Sequence, residues 1–84
     1  MSKHTPGPWA SVHDADGDYL IMSPESGRFI AVTYTDAEQD EANARLIAAA
    51  PEMLEALERI LPSLQGTGHA NTVRAVIRKA KGEL

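Results

Sequence analysis

The sequence predicts an α+β fold, a three-stranded antiparallel meander followed by three helices packed on one face. Three observations predict it. Residues 9–34 hold three short runs rich in aromatic and β-branched residues, separated by Asp/Gly and Ser/Pro/Gly clusters that suit chain reversal. From Thr35 onward the apolar residues recur at helical spacing instead. Pro51, Pro62 and Gly82 then punctuate that helical part.

Each element follows from local chemistry. Residues 1–8 carry Pro6 and Pro8 around Gly7 and read as an extended arm leading into Trp9. Trp9–His13 is the first strand, Asp14–Asp18 a turn, and Tyr19–Met22 the second strand. Ser23–Gly27 turns the chain again into the third strand, Arg28–Tyr34. Thr35–Glu38 has the spacing of a capping box, and Asp36, Glu38, Asp40 and Glu41 place negative charge at the helix start, where the dipole favours it. This helix runs to about Ala49. Ala50 is the junction, and Pro51 suits the first turn of a second helix. Met53, Leu54, Leu57, Ile60, Leu61 and Leu64 form its apolar stripe, which Pro62 ends or kinks. Gln65–His69 reads as a loop. A last helix follows with Val73, Val76, Ile77 and Ala80 on one face and Gly82 as its stop. Residues 1–84 are expected to form one domain: arm 1–8, meander 9–34, helical part 35–82.

Composition narrows the functional classes. A chain of 84 residues without cysteine has neither disulfide nor thiolate metal site, so oligomerisation is an available source of buried surface. A net charge of −4 argues against general nucleic-acid binding, which rests on phosphate neutralisation. The charge is uneven: residues 36–58 carry seven acids against Arg45 alone, while Arg74, Arg78, Lys79 and Lys81 cluster near the C-terminus. That asymmetry suits cross-subunit contacts or a local anion site, or a solvated face whose cations match the helix dipole. No apolar run approaches the roughly 20 residues of a membrane span, and the N-terminus lacks the apolar core of a signal peptide. The expectation is a cytoplasmic protein.

Candidate sites are few. Asp14, Asp16, Asp18 and Glu25 fall at ligand positions of a calcium-loop template, but Tyr19 occupies its glycine position and β-like segments flank it, so a hairpin turn is the competing reading. His4, His13 and His69 are scattered and read as surface or turn residues. No nucleophile elbow or Walker loop occurs, and Glu52, Glu55 and Glu58 form one helix stripe rather than an acid–base pair. The sequence therefore predicts no enzyme, no catalytic residue, no cofactor and no metal. Asn43 and Arg45 stand in an alanine-dominated helix. They are either recognition groups or structural ones, Arg45 pairing with Glu41 and Asn43 bonding to the strands. Trp9 reads first as core and second as a stacking platform.

The blocks from His4 to Trp9 (HTPGPW) and from Ala42 to Glu52 (ANARLIAAAPE), followed by Met53–Leu57, resemble a widespread group of small phage and prophage accessory proteins. The resemblance covers roughly residues 4–61 and leaves out the C-terminal helix. It implies a setting in the cytoplasm of an infected bacterium and supplies no catalytic residues. In that setting the expectation is a non-enzymatic, homo-oligomeric protein that counters host defence by binding. One version sequesters a cyclic-nucleotide or ADP-ribose-type signal between subunits. Arg28, Arg45, Arg74 and Arg78 are then candidates for the anion, Asn43 for polar readout, and Trp9 or Tyr34 for stacking. The alternative is a protein–protein inhibitor that occludes a host defence factor through the acidic helices.

Overall fold

Two tight turns build the first part of the computed structural model, which describes residues 4–33 and 37–83. Strands β1 (Ala10–His13), β2 (Tyr19–Met22) and β3 (Phe29–Thr33) form an antiparallel sheet in the order β1-β2-β3. Asp14 closes the first turn: its carboxylate accepts the backbone N–H groups of Asp16 at 3.0 Å and Asp18 at 2.9 Å. Gly17, at φ +89°, takes the left-handed step that a side chain would resist. In the second turn the Gly27 N–H donates to the Ser23 carbonyl at 2.7 Å, and the Ser23 N–H to the Arg28 carbonyl at 2.9 Å.

Register decides which residues share a face. His13 pairs with Tyr19, Ser11 with Ile21 and Ala10 with Met22; Tyr19 pairs with Thr33 and Ile21 with Ala31. Met22 pairs with Phe29, so Ile30 is the extra residue of a bulge. Opposed residues point the same way, so Ile21 and Thr33, the buried residues of the three strands, lie on one face. The other face is apolar, with Ala10, Val12, Leu20, Met22 and Val32. Helix α1 (Ala37–Ala48) packs over the sheet, chiefly along β2, and turns Asp40 and Ala44 inward. Thr35, the hydroxyl partner of its predicted capping box, lies outside the described residues.

Helix α2 (Ala50–Ile60) follows α1 after the single residue Ala49, with Pro51 in its first turn as expected. The chain divides into two compact units, Thr5–Pro51 and a helical one from Glu52 onward. The expectation of helices on the sheet is thus met by α1, and the rest form a unit of their own. Pro62 ends α2 in a 3₁₀ turn, Leu61–Leu64. Helix α3 (Gly68–Lys81) begins earlier than the sequence suggests, so His69 sits in its first turn rather than in a loop. Thr67 is extended (φ −109°, ψ 159°) and hands the chain directly to helical geometry. At the far end Gly82 is left-handed, and the N–H groups of Gly82 and Glu83 donate to the carbonyls of Lys79 and Arg78. That arrangement is the Schellman stop.

Lys81, at the end of α3, reaches back to α2, its Nζ 2.5 Å from Glu58 Oε2. This hydrogen bond raises the Lys81 pKa above the ordinary lysine value, against some desolvation and with help from the charges of Glu58 and Glu83. The folded-state pKa therefore exceeds the unfolded one. The stabilisation is whole below the ordinary lysine value, about 10.4, and is lost as pH rises through the higher folded value. Lys81→Met is expected to lower the melting temperature slightly at pH 8. The difference from the parent should close at pH values above the lysine range, as thermal melts across pH would record.

Candidate functional site

The β1–β2 register brings the N-terminal arm alongside the second turn. Because Ala10 opposes Met22, residues before Ala10 run beside those after Met22. Thr5 and Pro6 from the arm and Ser23, Glu25, Ser26 and Arg28 from the turn line an open groove of about 390 Å³. Pro8, Pro24 and Glu25 border a second depression of about 410 Å³.

The groove has an ordered frame. Ser23 is buried, and its backbone holds both hydrogen bonds that close the turn. The Ser26 hydroxyl accepts the Arg28 N–H at 3.3 Å, which fixes the backbone from which the guanidinium projects. On the arm side, Trp9 Nε1 donates to the Thr5 carbonyl at 3.0 Å. Trp9 is half-buried, so its ring serves as a strut for the arm as well as packing. Chemically the groove offers one cation, one carboxylate and three hydroxyls. It suits a ligand carrying an anionic group at one point and hydrogen-bond donors at another.

Of the residues expected from sequence, Arg28 lines this groove, and Trp9 stands behind it through Thr5. The others lie elsewhere. Asn43 and Arg45 are exposed on α1, and Arg45 is ion-paired with Glu41, the structural alternative for that arginine. Asn43, being exposed, is not turned toward the strands. Arg74 and Arg78 belong to the helical unit, where Arg74 Nη1 donates to Asn71 Oδ1 at 3.1 Å. Tyr34 lies outside the described residues. Thr5, Pro6, Ser23, Glu25 and Ser26 were not anticipated as site residues. The signal that points to them is the hairpin pairing itself, which sets the arm opposite the turn.

The remaining candidates resolve as follows. The Asp14 carboxylate is engaged by its own loop, and among the described residues no three His, Cys, Asp or Glu side chains gather as a metal-holding group. His13 is exposed and stacks on Tyr19, ring centroids 4.7 Å apart and planes within 19°. Among the described acids of the helices, Asp40 is buried, Glu41, Glu55 and Glu58 are paired with Arg45, Arg59 and Lys81, and Glu38 and Glu52 are exposed. No helix of the described residues is long and apolar enough to cross a membrane.

No curated protein and no solved structure matches the chain. One family does, that described as Salmonella phage P22 protein Y8K6, over residues 1–84 and so through the C-terminal helix that the resemblance by motif had left out. With the match spanning arm, sheet and all three helices, the chain belongs to this phage protein family.

Proposed function

We propose that this phage protein is non-enzymatic and counters host defence by binding. Its ligand is a small nucleotide-derived signal of the cyclic-nucleotide or ADP-ribose type, seated in the groove between arm and turn. The observation that supports this reading is that Arg28 and Glu25 line one groove together with Thr5, Ser23 and Ser26. Arg28 takes a phosphate through two parallel N–H donors. Glu25, which would repel a bare polyanion, instead accepts hydrogen bonds from ribose hydroxyls or from a base amine. A nucleotide carries both kinds of group. The volume lies within the range of small-molecule sites, about 300–1,000 Å³.

Isothermal calorimetry of the full chain against cyclic dinucleotides, cyclic mononucleotides and ADP-ribose compounds tests the proposal. Heat is expected with at least one of them. Arg28→Ala should weaken that binding by roughly tenfold or more, the worth of one charge-assisted hydrogen bond. Arg28 is exposed, so the variant should melt at the parent temperature. Silence across the whole panel would remove the reading.

A further inference from the structure

The helical unit has an apolar side that the described residues of the unit itself leave uncovered, and we propose that a second copy of this chain covers it. Among its described residues only Ala70 and Ile77 are buried. Cα positions advance by 3.6 residues per turn, which orders the side chains around each helix. Around α2 and its extension the order is Glu58, Leu54, Leu61, Leu57, Met53, Ile60, Ala56. Around α3 it is Arg78, Arg74, Lys81, Ala70, Ile77, Val73, Ala80, His69, Val76. The Glu58–Lys81 ion pair places the charged ends of both sequences on the same side of the hairpin. The leucines are half-buried, Ala70 and Ile77 are buried, and α3 packs on the turn Leu61–Leu64. Met53, Ala56 and Ile60 from α2 and Ala80, His69 and Val76 from α3 are then left together on the opposite side. Their exposure agrees: Met53 48%, Ile60 46% and Val76 47%.

Two features commit this face to a second copy. First, it carries no carboxylate, lysine or arginine, so two such faces meet without repulsion between those groups despite a net charge of −4 on each chain. Second, its two edges differ in sign. The outer edge of α2 carries Glu52 beside the Glu55–Arg59 pair, and that of α3 carries Lys79. A twofold axis parallel to the helices lays α2 of one copy over α3 of the other, so each negative edge meets a positive one. The product is a four-helix arrangement burying Met53 and Ile60 against the Val76 side of the partner. A helical unit of this size without cysteine is in the range where oligomerisation commonly supplies missing core. The inference stands independently of any ligand in the arm–turn groove.

Sedimentation equilibrium of the full chain at micromolar concentration tests it. A dimer is expected. Ile60→Glu, which sets a charge in the centre of the face, should weaken association by roughly 100-fold or more while leaving the far-ultraviolet circular dichroism unchanged. Arg78→Glu, on the charged side, should leave the dimer intact. If Ile60→Glu fails to fold, Met53→Gln/Val76→Thr replaces it, with the same expected loss of association. A parent protein that stays monomeric to several hundred micromolar, or a dimer that survives a folded face variant, overturns the proposal.

Discussion

Ile21→Ala is expected to destabilise the sheet unit by about 2–5 kcal/mol, most of what a small domain has to lose. Ile21 sits on the central strand, between Ser11 and Ala31, with no exposed surface. Both cross-strand neighbours are small. Neither can swing into the space that the missing sec-butyl group leaves, so the cavity persists and adds to the lost transfer energy. Phe29→Ala is the informative contrast. Phe29 is the larger residue and the more obvious strand former, yet it is 70% exposed, so its truncation should cost under about 1 kcal/mol. Denaturant titrations of the two variants would show the ranking. A smaller loss for Ile21→Ala than for Phe29→Ala would mean that the core has been misplaced.

That contrast shows where the sequence is readable and where it is not. Turn chemistry flanks β2 on both sides, and its ends, Tyr19 and Met22, fall where Asp18 and Ser23 put them. Proline geometry likewise places the start of α2 and the 3₁₀ turn. The start of α3 was harder to read. Gly68 looks like loop, but a first-turn position needs no hydrogen-bond partner for its N–H, and glycine is tolerated there once Thr67 is extended. Exposure was harder still, because a three-stranded sheet one helix thick cannot bury every apolar side chain its strands carry. The site was legible only in part. Arg28 stands out as a cation beside a turn, but Thr5 and Glu25 become its neighbours through pairing at a distance. The most conspicuous cations, Arg74 and Arg78, lie on a helix remote in sequence from that hairpin.

The alanine run of α1 carries the same lesson in sharper form, and a second prediction of large effect. Ala42, Ala44 and Ala48 are chemically identical, and helical spacing alone does not say which of them touches the sheet. Ala44 has no exposed surface, whereas Ala42 is exposed. Ala44→Asp therefore puts an unpaired carboxylate into the helix–sheet contact. It also does so one turn after Asp40, itself 4% exposed and on the same face of α1. Two acids in one poorly solvated layer cannot both ionise cheaply. Burying one without a partner costs about 3–5 kcal/mol, enough to unfold the unit at neutral pH. Ala42→Asp adds the same charge to the same helix and should change stability by no more than about 0.5 kcal/mol. Acidification separates the mechanisms. If the cost is chiefly charge, Ala44→Asp should recover part of its stability as the pH falls and the new carboxyl protonates. If the cost is chiefly steric, with no room for three extra heavy atoms beyond the methyl, the loss should persist at low pH. Parallel urea titrations of both variants at pH 7 and pH 4 would separate the two. Equal stability of Ala44→Asp and Ala42→Asp at pH 7 would show that α1 presents some other face to the strands.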